Sequence, residues 1–189
     1  MKPLDRLLQR WRIARARSAI PHGARVLDIG CGDGALFRLL AGHVGSGMGI
    51  DPLLTAPVSL GAAQLLPGSF PRDLPDCAPF EVITLLAVLE HVPRDEQPAF
   101  LGACAARLAP GGLLVITVPS PRVDLLLRWL RRLRLVEGMA LEQHYGFDPQ
   151  TTPALCAAQG FRLLEHRRFQ LGLNHLFVFM NAHLNSLKT

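Results

Sequence analysis

The 189-residue chain is 49% hydrophobic and 19% charged, with a formal net charge of +5. Those figures suit one domain that buries roughly two thirds of its unfolded surface. A mean hydropathy of +0.24 raises the question of a membrane span, but both long uncharged runs are unsuited to one. Residues 52–71 are broken by Pro57, Gly61, Pro67 and Gly68, and residues 169–187 carry Gln170, Asn174, His175, Asn181 and His183.

In chain order, MKPLDRLLQRWRIARARSAI predicts an N-terminal helix within residues 1–20, with Leu4, Leu7, Leu8, Trp11 and Ala14 on one stripe and arginines opposite. Charge interrupts this segment every few residues and no small-residue cleavage site follows, so it does not read as a secretory signal, and a cytoplasmic location is expected. Continuous or alternating apolar runs then predict strands at 25–29, 47–50, 63–66, 81–86 and 113–118, with helices at 35–41 and 98–108. Pro110, Gly111 and Gly112 stop the second helix.

Strands alternating with helices predict an α/β fold, a Rossmann-like and mostly parallel sheet with helices on both faces, because parallel neighbours need a helical crossover. The tail departs from that rhythm. Residues 161–169 and 175–180 are separated by a few residues containing Gly172, which is too short for a crossover and predicts a hairpin with one antiparallel strand. No internal repeat or low-complexity linker divides the chain, so residues 1–189 read as one domain.

The four cysteines, Cys31, Cys77, Cys104 and Cys156, lie far apart without metal-ligand spacing, so neither a disulfide nor a metal site is expected. Arginines crowd two places, Arg6 to Arg17 and Arg122 to Arg134. Such patches either form solvated helix faces or attract nucleic acid, anionic lipid or an acidic substrate.

The stretch VLDIGCGDGALFRLL, residues 26–40, runs from a strand through Gly30, Gly32 and Gly34 into a helix. Backbone that no Cβ shields, beside a helix start, makes a ligand cradle. GCGDGA also satisfies a dinucleotide fingerprint, with Asp51 placed to bind a ribose, so nicotinamide and flavin cofactors enter as alternatives. Asp28 argues against them, since a carboxylate there would repel a pyrophosphate. It favours a cationic nucleoside, an adenosine bearing a sulfonium and an α-amino group.

VLDIGCGDG, GIDP at 49–52, FEVITLLAVLEHV at 80–92, LAPGGLLVITVP at 108–119 and HYGFDPQTTPALCAAQGF at 144–161, in that order, resemble the class I S-adenosylmethionine-dependent methyltransferases over nearly the whole chain. The resemblance implies a seven-stranded sheet with strand seven antiparallel, and S-adenosyl-L-methionine as cofactor. It implies that Asp28 and the amides around Gly30, Cys31 and Gly32 hold the methionine part and that Asp51 accepts both ribose hydroxyls. Pro52 and Leu53 would pack on the adenine, Ser69 and Phe70 would sit at its edge with Phe70 stacking, and the Leu86 carbonyl would meet the α-amino group. Two features depart from the pattern. An Asp is often found where Ser69 and Phe70 stand, and Pro52, Pro57 and Gly61 interrupt the helix usual between Asp51 and Gly68, which is expected to be short or missing.

For proton removal from an acceptor, His91 and His144 are the candidate bases; the alternative for His91 is a residue that caps the next helix or lines the cofactor site, and for His144 a loop histidine bonded to a backbone carbonyl. Glu90 reads as orienting a neighbour. Val123, Leu126, Leu127, Leu130 and Leu133, among arginines and Trp129, mark 121–150 as either sheet-packed helix or a substrate lid, the latter suited to a lipid-like acceptor at a membrane surface. LAVLEH lacks the Asn/Asp-Pro-Pro-aromatic sequence that grips a flipped base, so nucleic acid is not expected as a partner. The resulting expectation is a methyltransferase acting on a small-molecule or lipid-like acceptor, O-methylation favoured. The alternatives are a nicotinamide-dependent oxidoreductase and a non-catalytic methyltransferase-like binding subunit.

Overall fold

Strand β1 (Arg25–Ile29) is buried on both faces over its last four residues, as an unbroken apolar run in the interior of a parallel sheet requires. The computed structural model describes residues 3–120 and 147–182. Helix α1 (Pro3–Arg17) precedes β1, and α2 (Ala35–Leu39), β2 (Ser46–Asp51), β3 (Val58–Leu60), β4 (Ala63–Pro67) and β5 (Phe80–Leu86) follow it. Then come α3 (Gln97–Arg107), β6 (Leu108–Pro119), α4 (Thr152–Ala157), β7 (Phe161–Phe169) and β8 (Asn174–Asn181).

The strands form one sheet in the order β3-β4-β2-β1-β5-β6-β8-β7. Strands β4, β2, β1, β5 and β6 are mutually parallel. β8 runs antiparallel to both β6 and β7, which is the terminal hairpin expected from the short connection. The count differs from seven: eight strands lie among the described residues. The extra one, β3, pairs antiparallel with β4 and occupies the place where a helix was in doubt. Pro52 and Pro57 deny that segment a helical backbone, and the chain reverses at Gly61, φ +57°, so Leu60 pairs with Ala63.

Alternating side chains sort the core into two layers. Leu27, Ile29, Ile83, Leu85, Leu114 and Ile116 pack with Leu101 and Cys104 of α3 and Cys156 of α4. Val26, Val82, Val115 and Val178 point the other way, onto Ile13 and Ala16 of α1 and Leu36 and Phe37 of α2. Helices therefore cover both faces. Within the second layer the strands turn polar toward their carboxyl ends, where Asp28 and Thr84 stand opposite each other in the β1–β5 pairing. The expected lid, 121–150, lies outside the described residues except for its last four, and His144 lies outside them altogether. Among the described residues no helix is long and apolar enough to cross a membrane.

Candidate active site

The carboxyl edges of β4, β2, β1 and β5, four neighbours in the sheet, gather the ten residues assigned to the cofactor. Asp28 lies in β1, with Gly30, Cys31 and Gly32 directly after it. Asp51 ends β2 and is followed by Pro52 and Leu53. Ser69 and Phe70 come two and three residues after β4, and Leu86 ends β5. His91 closes a single 3-10 turn, Leu89–His91, just past β5.

Asp28 is 4% exposed. Its Oδ1 accepts a 2.6 Å hydrogen bond from the Thr84 hydroxyl, and no cation stands beside it among the described residues. Burial pushes its carboxyl up to about 7, against the pull of the Thr84 bond, and the neighbouring Asp51 adds to the rise. A buried carboxyl without a countercharge is costly in isolation and becomes favourable when a cation arrives.

Asp51 works differently, because its oxygens are tied to the backbone. Oδ2 accepts from the Gly32 amide at 2.7 Å and Oδ1 from the Leu53 amide at 2.8 Å. One carboxylate thus fixes both the glycine loop and the turn after β2, and each oxygen retains a lone pair for a further donor. The loop's other amides are also engaged within the protein: Gly30 and Cys31 donate to the Ile50 carbonyl, and Gly34 donates to that of Cys31. The amides of Gly30, Cys31 and Gly32 thus each have a partner within the protein.

The glycines divide by what surrounds them. A Cβ on Gly30 would fall 2.6 Å from Val88 Cγ2, so that position is bare for close packing. A Cβ on Gly32, φ +52°, would meet nothing within 4 Å. Gly32 is where the loop faces open space. Cys31 turns its side chain inward, and burial beside Asp28 and Asp51 pushes its thiol up to about 12, which removes it as a nucleophile near neutral pH.

Around this centre, Leu53 is 80% exposed beside Asp51. The Ser69 amide donates to Asp73 Oδ2 at 2.8 Å, which shapes the loop after β4. The half-buried Phe70 ring meets Phe100 of α3 edge to face, with centroids 5.3 Å apart. The 3-10 turn carrying His91 is held to α3 by the buried Gln97, whose side-chain amide donates to the Val92 carbonyl at 3.0 Å.

Three further features escaped the sequence reading. Thr84 is the hydrogen-bond partner of Asp28, and the signal for it is a lone hydroxyl residue within the buried run FEVITLL. Glu90 is 2% exposed; burial pushes its carboxyl up to about 7, and the Arg12 guanidinium on α1 partly offsets the rise. Ala87, between Leu86 and that turn, holds φ +62°, a left-handed conformation uncommon for a residue with a Cβ and enriched at functional sites.

A mostly parallel sheet of this order with an antiparallel strand at its carboxyl-terminal end, a glycine loop after β1 and an acidic residue ending β2 is the arrangement of the class I S-adenosylmethionine-dependent methyltransferases. The sequence model described as "Methyltransferase domain" matches residues 3–166, and the chain belongs to that family. Among relatives, the ubiquinone biosynthesis O-methyltransferase of Rhodopseudomonas palustris (strain HaA2) is 31% identical over 165 residues, covering 72% of this chain and 62% of the relative. The protein of the same name from Xanthomonas campestris pv. campestris (strain B100) is 35% identical over 127 residues, covering 61% and 52%. The chain thus spans about three fifths of the length of the first and half of the second. Two solved structures share the fold. The N-methyltransferase NodS from Bradyrhizobium japonicum WM9, in complex with S-adenosyl-L-homocysteine, superposes with a TM-score of 0.64 at 18% identity, covering 96% of this chain and 89% of that one. The 1,6-didemethyltoxoflavin-N1-methyltransferase of Burkholderia thailandensis gives 0.67 at 18% identity, covering 92% and 78%.

Proposed function

We propose that the chain is an S-adenosylmethionine-dependent methyltransferase that methylates a hydroxyl of a small or lipid-like organic acceptor. The observation that supports this most is Asp28, a buried carboxyl with a hydroxyl partner and no countercharge among the described residues, placed beside a second carboxylate and the open face of Gly32. That concentration of negative potential suits a ligand bearing a sulfonium and an ammonium and opposes one bearing a pyrophosphate. The carboxylate chemistry therefore fits S-adenosylmethionine and disfavours the nicotinamide alternative. Oxygen as the accepting atom is favoured by the relatives named as O-methyltransferases.

S-adenosylmethionine, when bound, supplies an activated methyl group for in-line displacement. The chain's own residues then hold and orient. Asp28 complements the cationic methionine part, beside the backbone of Gly30, Cys31 and Gly32. Asp51 accepts the ribose hydroxyls on the lone pairs that Gly32 and Leu53 leave free. The Leu86 carbonyl receives the α-amino group, while Pro52, Leu53, Ser69 and Phe70 border the adenine. Holding donor and acceptor in line contributes about 7 to 11 kcal/mol to lowering such a barrier. His91, past the end of β5, removes the acceptor's proton, and His144 is the second candidate for that step.

The test is calorimetry with S-adenosylmethionine and S-adenosylhomocysteine, followed by turnover with phenolic and catecholic acceptors. Binding in the micromolar range, lost in Asp28→Asn, is expected. Tight binding of NAD with no heat from either sulfur nucleoside would overturn the reading. A base role for His91 or His144 requires that alanine there lower turnover more than donor affinity; an equal loss of both refutes it.

A further inference from the structure

Helix α1 carries apolar side chains on two sides. Ile13 and Ala16 pack into the core, while Leu7, Trp11 and Ala14, spaced at helical intervals of four and three, are exposed and share a groove with Ile13. With Leu39 and Leu40 at the end of α2 they line a groove of about 390 Å3, rimmed by Arg10 and Arg17. Its apolar walls are open to water: Leu7 is 58% exposed, Trp11 41% and Leu39 43%. Exposed apolar side chains clustered in this way indicate a contact surface.

The charge around the groove selects the contact. Arg6, Arg10, Arg15 and Arg17 of α1 are all exposed, and among the described residues no acidic side chain lines the groove. A second copy of this chain docking by a twofold axis would bring two arginine rims together, which opposes a dimer here. The apolar side chains Leu7, Trp11 and Leu39 are open to water, with the guanidinium groups of Arg10 and Arg17 beside them. That is the arrangement a headgroup boundary accepts: tryptophan and leucine enter the acyl region while arginines extend back to phosphate.

A further exposed apolar group lies beside α1. Gln170 donates its side-chain amide to the Leu8 carbonyl, 3.4 Å away, and accepts from Asn174, so the turn after β7 is fastened to α1. The next residue, Leu171, is 98% exposed and holds φ +57°, so the turn displays a leucine to solvent beside the first turns of the helix. This turn lies where β8 begins, at the edge that also receives the carboxyl end of β6.

We propose that α1, the α1–α2 groove and Leu171 form a docking surface for bilayers containing anionic phospholipid. The inference does not depend on the donor or on turnover. The test uses full-length protein and vesicles of phosphatidylcholine with or without phosphatidylglycerol. Trp129→Phe leaves Trp11 as the sole tryptophan reporter, since the chain has two.

Expected results are sedimentation with the anionic vesicles but not the neutral ones, a blue shift of Trp11 emission, and weakening with salt. The double variant Arg10→Glu with Arg17→Glu should bind about 25-fold more weakly or worse, from about fivefold per basic residue removed. Far-ultraviolet circular dichroism and thermal unfolding confirm that it is folded. Leu171→Ser, at an exposed turn, provides a second variant and should also weaken binding. No binding to anionic vesicles at low salt would overturn the proposal. So would binding unchanged by the Arg10/Arg17 variant but lost with Arg131→Ala and Arg132→Ala, or a solution dimer that Leu39→Glu dissociates.

Discussion

The hydroxyl of Thr84 donates to Asp28 at 2.6 Å across the β1–β5 pairing, and the two side chains are 0% and 4% exposed. The bond partly stabilises the ionised form of a carboxyl that burial still holds near 7. Asp28 therefore titrates close to physiological pH, and a cationic ligand should find it protonated in mildly acidic buffer.

Donor binding should accordingly release a proton below pH 7. Affinity for S-adenosylhomocysteine is expected to fall up to tenfold for each pH unit below about 7 and to level off above pH 8. Calorimetry in two buffers of different ionisation enthalpy measures the proton directly. An affinity flat from pH 5.5 to 8 would remove Asp28 from contact with the ligand's charge.

The same titration acts on stability in the ligand-free protein. Asp28 rises from 3.8 to about 7 on folding, so between those values the folded state binds the extra proton. Its contribution is fully favourable below pH 4 and is lost as pH climbs through 7, a cost of up to about 4 kcal/mol. Glu90, also held at about 7, follows the same sign. Asp28→Asn and Glu90→Gln should each raise the midpoint of thermal unfolding at pH 8 and change it little at pH 4. Asp28→Asn should gain this stability while losing donor affinity.

Asp51 should show the reverse pattern. Because its carboxylate holds the Gly32 and Leu53 amides, Asp51→Ala removes two charge-assisted hydrogen bonds and is expected to cost about 3 kcal/mol in urea unfolding, besides abolishing donor binding. Asp51→Asn, which retains an acceptor oxygen, should recover part of the stability but little of the affinity.

Gly30→Ala and Gly32→Ala separate packing from access. Both residues have positive φ, but only the Gly30 Cβ would collide with Val88. Gly30→Ala should therefore destabilise the protein severely. Gly32→Ala should cost about 1 kcal/mol of backbone strain and a larger fraction of donor affinity. Thermal shift in the absence and presence of S-adenosylhomocysteine distinguishes the two.

The central strands were legible because burial on both faces leaves continuous apolar runs such as RVLDI and FEVITLL. The start of β6 was not. Leu108 already pairs with Phe80, and the register shift before Val82 lets Pro110, Gly111 and Gly112 lie inside a strand whose sequence reads as a stop. Three-residue β3 carries too little pattern to be seen, although the prolines that exclude a helix there were plain. Of the site, the residues grouped at one edge followed from strand ends and glycines. The internal use of the loop amides, the Thr84 partner and the burial of Glu90 did not follow, because each depends on a contact between segments far apart in sequence.

The two flanks of the sheet are closed to strangers by different means. On one side the lone hairpin partner β3 is three residues long, too brief a ladder for a foreign strand to extend. On the other, β7 is a nine-residue outer strand whose exposed positions include Arg162, Arg167 and Arg168, so a second molecule adding there would stack cation against cation. A protein this rich in buried valine, leucine and phenylalanine is thereby discouraged from polymerising edge to edge, and neutral replacement of those three arginines is where fibril formation would first be sought.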